Sequence, residues 1–279
     1  MLVLPRSVQA QEQIIYELKL AGMRVTSLNC GDLSSIDGVS GTAKFDPESK
    51  TLTLDNATIS TSVIKFPGLE NSIKGLTIRL IGDNTITSEN YWGLFNNTER
   101  SITFTGSGKL TVNGSTTAPQ TGYRRAIFNW GTIVVDGCTL EANGGVYGIG
   151  SGFWKFVNCN VRTKGGGGSQ SDEYAGSLTW MWDKEPEFVG CKITSPAGVS
   201  WKKFQNNGYD NYVLVGEDGN AVTDWVEITR DNTGVNVQNT DAATAKRGIY
   251  TLQGLRLSGE LKDLPAGIYI VDGKKIVKP

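Results

Sequence analysis

The chain has 279 residues, 38% of them hydrophobic and 20% charged, with a net charge of −1, four cysteines and no histidine. That near-neutral balance excludes an electrostatic hold on nucleic acid or on an anionic membrane, and no apolar run nears the roughly 18–20 residues that span a bilayer. Without histidine there is no Ser-His-Asp or Cys-His catalysis and no His-ligated zinc.

Thirty-five glycines, frequent Thr, Asn, Ser and Val, and no long run with helical periodicity predict an all-β chain with many tight turns. At the start, Val8-Gln9-Ala10 has the small-residue character of a signal-peptide end, so residues 1–10 read either as its remnant or as an ordinary terminus. Residues 11–49 alternate apolar and polar positions (Ile15, Glu17, Leu18; Met23, Val25) and predict a β cap over an otherwise open first coil. Within them, residues 11–20 read briefly as helix, though their apolar positions fit a strand equally well.

A signature of Asn/Gly, Ala/Cys, any residue and Ile/Leu/Val then recurs as Asn56-Ala57-Thr58-Ile59, Gly137-Cys138-Thr139-Leu140, Asn158-Cys159-Asn160-Val161 and Gly190-Cys191-Lys192-Ile193. Each copy follows a short apolar strand, and two looser copies run from Leu76 to Ile86 and from Ile102 to Val112. A strand–bend–strand unit returning about every 20–30 residues falls in the range of stacked architectures. A second patch advances in step: Gly93-Leu94-Phe95, Ala126-Ile127-Phe128, Gly148-Ile149-Gly150 and, more weakly, Gly176-Ser177-Leu178. Positions 94, 127 and 149 step by 33 and 22 residues, while 104, 135 and 157 step by 31 and 22. The expected fold is a right-handed parallel β-helix (a solenoid) over residues 50–209, with an antiparallel sandwich as the rival.

Cys138, Cys159 and Cys191 share one register and read as a ladder of small buried thiols; a disulfide or a metal site is the alternative, and Cys30 stands alone. The glycine run at 165–168 reads as a mobile protrusion. A phosphate cradle is the sharper reading, but it lacks the following helix and Lys-Ser/Thr pair. Residues 210–246 read as a β hairpin, with Asp218-Gly219 at its turn, and a linker. Residues 247–279 read as a small C-terminal β module.

Lys50-Thr51-Leu52-Thr53-Leu54-Asp55-Asn56-Ala57-Thr58-Ile59 and Gly106-Ser107-Gly108-Lys109-Leu110-Thr111-Val112 are the clearest stretches of a resemblance covering residues 16–194. There the chain resembles secreted right-handed parallel β-helix proteins of gut and oral Bacteroidetes, related to a carbohydrate-binding β-helix family. The resemblance implies binding of polysaccharide, acidic plant polysaccharide included, with calcium as the accompanying ion. Ile249-Tyr250-Thr251-Leu252-Gln253-Gly254 and Pro265-Ala266-Gly267-Ile268-Tyr269-Ile270-Val271-Asp272-Gly273-Lys274-Lys275 are similar to the C-terminal modules of exported Bacteroidetes proteins. In some of those organisms the module is a type IX (Por) secretion sorting signal. This second resemblance implies secretion or a cell-surface location with secretion machinery as a partner; a plain capping hairpin is the alternative.

Pectin-hydrolysing β-helices carry an Asn-Thr-Asp motif, an Asp pair and a His-Gly motif, of which only Gly82-Asp83-Asn84-Thr85 has a counterpart here. A calcium-dependent lyase would need carboxylates and an Arg or Lys base, for which Asp136, Asp83, Glu89 and the Arg124-Arg125 pair are candidates; a carboxylate-pair glycosidase is a further alternative. Loop aromatics give a stronger lead, because flat rings stack on sugar faces while polar neighbours bond hydroxyls. Tyr91-Trp92, Tyr123, Trp130, Tyr147 and Trp154 fall near equivalent registers, and Trp180-Met181-Trp182, Trp201 and Tyr209 follow. The expected binding face is Tyr91, Trp92, Tyr123, Trp130, Trp180 and Trp182, with Asp83, Arg124 and Arg125 as polar contacts and no catalytic residue. Calcium candidates are Asp183, Glu185 and Glu187, or Asp172 with Glu173. The expected function is an exported, non-catalytic glycan binder or surface adhesin, with a lyase or glycosidase, or a structural or protein-binding module, as alternatives.

Overall fold

Alternation decides the architecture. In Leu76–Ile81, for example, Leu76, Ile78 and Leu80 are buried while Thr77 and Arg79 are not, the period-two pattern of a strand with one face on a core. The computed structural model describes residues 12–169, 171–231, 248–251, 256–257, 260–271 and 274–278. The fold is all-β, and helix among the described residues is limited to the 3₁₀ turns Leu33–Ser35, Thr121–Tyr123 and Leu261–Asp263.

Three parallel ladders run through the larger unit. One stacks Thr51–Thr61, Leu76–Ile81, Ser101–Gly106, Thr132–Asp136, Phe153–Val157 and Glu187–Val189. The second starts from the other half of Thr51–Thr61 and adds Asp83–Ser88, Lys109–Asn113, Thr139–Gly144 and Asn160–Gly165. The third stacks Leu69–Asn71, Leu94–Asn96, Arg125–Asn129, Tyr147–Gly150 and Leu178–Thr179. Such parallel pairing is incompatible with an antiparallel sandwich. The first two ladders, with Val39–Asp46, Val226–Arg230 and Cys191–Ser195, form one thirteen-stranded sheet whose terminal strands, Glu187–Val189 and Cys191–Ser195, are consecutive in the chain, so the sheet nearly closes on itself. Leu54, Ile78, Phe104, Val135 and Phe156 point inward from one ladder and meet Leu110, Leu140, Leu94, Ile127 and Ile149 from the others in one continuous core.

The recurring signature has a backbone cause. Its first residue sits in the left-handed region each time: Asn56 at φ +48°, Gly137 at +71°, Asn158 at +43° and Gly190 at +61°. Glycine and, among residues with a side chain, asparagine tolerate that conformation best. The next residue, Ala57, Cys138, Cys159 or Cys191, turns inward and is buried. All four cysteines are free. Burial pushes the Cys138 thiol up to about 12, and burial with the adjoining Cys191 and Cys138 thiols pushes Cys159 higher still.

Register follows the advancing patches at Leu94, Ile127, Ile149 and Leu178. One step differs: Val135 pairs with Phe156, and Val157 falls opposite Asp136. A one-residue slip exchanges the two faces of a strand, and here it puts the Phe156 ring in the core while Val157 stays half-buried.

Three further expectations are corrected. The bend of the fourth signature copy stacks on the third, Gly190 on Asn158 and Cys191 beside Cys159, but the strand after it does not, because Val226–Arg230 inserts between Asn160–Gly165 and Cys191–Ser195 and pairs antiparallel with both. The glycine run is packed, not protruding: Gly165 and Gly167 are buried, and a Cβ on Gly165 would run into the Gly176 carbonyl and the Gly148 nitrogen. A boundary at 209/210 would split a hairpin, since Ser200–Asn206 pairs with Tyr209–Val215 around Asn207-Gly208. Both turn residues have positive φ, as a two-residue hairpin turn of this kind requires.

At the N-terminal end, Ile15–Leu20 is strand and pairs antiparallel with Leu69–Asn71, while Val39–Asp46 pairs antiparallel with Thr51–Thr61. The chain divides into two units, Met1–Asp231 and Asn232–Pro279. In the second, Arg256–Leu257, Ile249–Thr251, Gly267–Val271 and Lys274–Lys278 form a four-stranded antiparallel sheet. The possible signal remnant at 1–10 lies outside the described residues, as does most of the expected linker.

Buried asparagines tie the third ladder together. Asn71 Nδ2 donates to Asn96 Oδ1 at 2.8 Å, and Asn96 Nδ2 donates to Asn129 Oδ1 at 2.7 Å. Each is fully buried. Their signal was present in the sequence, an Asn two residues after each of Leu69, Leu94 and Ile127.

Candidate functional site

A cleft of about 600 Å³ opens between the outer side of the third ladder and the Ser200–Asn206/Tyr209–Val215 hairpin. Its aromatic lining is Phe128, Trp130, Phe153, Trp180, Trp182 and Tyr209. Arg125 and Ser151 line it from the ladder side, Asp183 follows Trp182, and the hairpin contributes Asn206, Asn207, Asp210 and Asn211. The two walls are joined where Met181–Trp182 pairs with Asn211 and Tyr212 of the hairpin.

Four lining residues other than glycine hold positive φ: Ser151 at +66°, Trp180 at +57°, Asp183 at +58° and Asn207 at +50°. For a ring as large as Trp180 this conformation costs about 1–3 kcal/mol and persists only where surroundings enforce it. The enforcement is visible. Trp180 Nε1 donates to Asp172 Oδ2 at 2.7 Å, and its ring stands edge-on to Phe204 at 5.0 Å. Asp172 also accepts from the Tyr147 hydroxyl at 2.9 Å and from the Tyr174 backbone N–H. This carboxylate is thus a brace behind the cleft wall.

Arg125 is no solvated loop cation. It opens the strand Arg125–Asn129, with its guanidinium carbon 3.7 Å from the Tyr147 ring centre and 4.5 Å from that of Phe128. Its Nε donates to the Gly122 carbonyl, whereas Nη1 is buried without a hydrogen-bond partner among the described residues. Burial lowers the guanidinium from its ordinary range, and Tyr147 and Asp172 oppose that shift. Arg124 is separate from the cleft lining, its Nε donating to the Ala118 carbonyl at 2.7 Å.

The expected aromatic face divides into two connected parts. Trp130, Trp180 and Trp182 line the cleft. Tyr91, Trp92 and Tyr123 form a half-buried stack beside it, with Tyr91 4.1 Å from Trp92 and 4.6 Å from Tyr123. Trp92 reaches Phe128 at 4.6 Å, and Phe128 reaches Trp130 at 5.2 Å. The Trp92 Nε1 donates to the Gly122 carbonyl. Trp154 and Tyr147 are core, only 3% and 4% exposed.

Asp83 is not brought to this face. It begins Asp83–Ser88 opposite Lys109 in the second ladder, its N–H donating to Asn56 Oδ1. Glu89 and Asp136, the other lyase candidates, likewise do not line the cleft that contains Arg125. Asp183, Glu185 and Glu187 are not gathered either, and no group of three metal-binding side chains occurs among the described residues. Glu187 lies 2.8 Å from Lys184 and 3.4 Å from Lys155, and both hold its carboxyl below the usual range.

Sequence reasoning missed the hairpin's share of the site, Asn206, Asn207, Asp210 and Asn211, although Asn207-Gly208 is a strong hairpin signal. No helix among the described residues is long and apolar enough to cross a membrane. No family model, no curated protein and no solved structure matches the chain.

Proposed function

We propose that this chain is an exported, non-catalytic glycan-binding protein, whose parallel ladders form a right-handed β-helix and whose cleft holds sugar rings at the solenoid's side. Right-handed winding is the near-universal hand of parallel crossovers. The carrying observation is the composition of the cleft: six aromatic rings, Trp130 at 40% exposure among them, together with the hairpin's three asparagine amides and Asp210 and the neighbouring Asp183. Pyranose rings present apolar C–H faces to aromatic rings and equatorial hydroxyls to Asn and Asp, so both halves of the lining have a role. The adjoining Tyr123–Tyr91–Trp92 stack extends the aromatic surface, which suits a polymer lying along the coils or a surface adhesin. Export rests on the C-terminal resemblance. The test is retention of the whole protein on a panel of immobilised polysaccharides, with and without calcium, paired with an absorbance assay for unsaturated uronate. Retention without turnover supports the reading. Release of unsaturated product, or retention on no glycan, overturns it.

A further inference from the structure

Charge around the cleft points to the class of sugar, an inference that rests on the glycan-binding reading. Asp183 follows the strand Met181–Trp182 at a left-handed bend, φ +58°, and its N–H donates to the carbonyl of Asp210 on the hairpin at 3.0 Å. They occupy the register next to the Trp182–Asn211 pair. Both line the cleft. Asp210 is neutralised from outside by Lys203 Nζ at 2.6 Å, with Gln205 Nε2 at 3.2 Å. Asp183 is exposed, and its carboxylate has no hydrogen-bond or ion-pair partner among the described residues.

The lining's single cation offers little to an anionic ligand. Arg125 lies flat between Phe128 and Tyr147, with Nε used by Gly122 and Nη1 shut off from solvent. Its charge is also offset by Asp172, whose carboxylate accepts from the hydroxyl of Tyr147, the ring that the guanidinium covers. Counting the lining with these immediate partners, two cations, Arg125 and Lys203, face three carboxylates, Asp172, Asp183 and Asp210. The uncompensated charge is negative and sits on Asp183, at the accessible rim. A ligand carboxylate entering there would meet like charge, which disfavours the wrong partner strongly where water is partly excluded. Asn206, Asn207 and Asn211 supply uncharged donors and acceptors suited to hydroxyls.

We propose that the cleft selects neutral, hydroxyl-rich glycans over uronate-containing ones, with Asp183 as the specificity-determining residue. The experiment compares binding of the whole protein to matched polymers, such as polygalacturonate, alginate and a glucuronan, each beside its carboxyl-reduced, neutral counterpart. At low ionic strength the reduced member of a pair should bind about tenfold or more tightly, with the preference shrinking as salt screens the charges. Asp183→Asn should narrow that preference by raising affinity for the acidic member. Asparagine also tolerates the left-handed backbone at this position, so an unchanged melting temperature is expected. Equal or tighter binding of an acidic polymer by the wild type overturns the proposal while leaving the glycan reading intact. So does a preference that Asp183→Asn leaves unmoved. Retention of neither member in any pair, with neutral glycans retained elsewhere on the panel and acidic ones not, supports it. Retention of no glycan at all removes the glycan reading and the proposal together.

Discussion

Removing the middle rung of the asparagine ladder tests whether the third ladder is held by its buried amides. The Asn96 side chain makes three hydrogen bonds: it accepts from Asn71 at 2.8 Å and donates to Asn129 at 2.7 Å and to the Arg100 carbonyl at 3.1 Å. Asn96→Ala deletes all three, yet no neighbour is left wholly unpaired. Asn71 Nδ2 keeps the Ile73 carbonyl, Asn129 Oδ1 keeps the Gly131 N–H, and the Arg100 carbonyl keeps the Thr132 N–H. The expected loss is therefore the net worth of three hydrogen bonds, about 3 kcal/mol, without an added full orphan penalty. For a unit of this size that is a fall in Tm of about 6–12 °C. Asn96→Asp should cost more, because its carboxylate would face the Arg100 carbonyl and Asn129 Oδ1 with no proton to donate. Part of that excess should vanish below about pH 4, where the carboxyl is protonated. Thermal melts of the full chain by circular dichroism, at neutral and acid pH, give both numbers. A shift under about 2 °C for Asn96→Ala, or an aspartate variant no worse than the alanine one, would refute the ladder as a stabilising element.

Two tryptophans in neighbouring registers should behave oppositely. Trp130→Ala should weaken glycan retention while changing stability by less than about 1 kcal/mol, whereas Trp154→Ala should cost about 3–5 kcal/mol, as expected for a buried ring; paired melts and retention assays separate them. Native-state alkylation at pH 8 should label half-buried Cys30 far faster than Cys138 or Cys159, whose raised pKa values keep them as thiols. Because the unfolded thiols ionise near pH 9 and folded Cys138 only near 12, that contribution to stability is complete below about pH 9 and should fade as pH rises through 12; alkaline urea titrations of wild type and Cys138→Ala read the difference. Calcium should leave Tm unmoved, since Asp183, Glu185 and Glu187 are not gathered and Glu187 is engaged by Lys155 and Lys184; a calcium-dependent rise of several degrees would contradict that geometry.

Much of the candidate site was legible only in fragments. Trp130, Trp180, Trp182 and Arg125 could be picked out because each breaks a local rule, a large ring or a cation beside glycines and turns. Trp130 follows the strand Arg125–Asn129 beside Gly131, whereas Trp154 alternates with Phe156 inside Phe153–Val157, and its core position opposite Ile133 makes that ring interior. Asp83 is expected from the sequence as a polar contact at the edge flanking the aromatics. In space the intervening strand carries it to a different ladder.

By itself the sequence determined what is local and periodic. Alternating apolar residues specify strands, and Asn or Gly at the first signature position specifies a left-handed bend, as at Asn56, Gly137, Asn158 and Gly190. Recurrence of the apolar patch at Leu94, Ile127 and Ile149, in steps of 33 and 22 residues, specifies which residues stack. These are decided by φ/ψ sterics and by which side of a strand meets water, so they can be read one segment at a time. Tertiary structure decided which distant segments meet. Val226–Arg230 enters the sheet because Asn160–Gly165 and Cys191–Ser195 both leave an edge of backbone donors and acceptors that must be paired. The hairpin folds back to face Trp130 because its link to Met181–Trp182 holds it there. Unpaired edges and volumes to be filled exist only once the strands are stacked, and so the cleft, unlike the strands that wall it, has no signature in the chain.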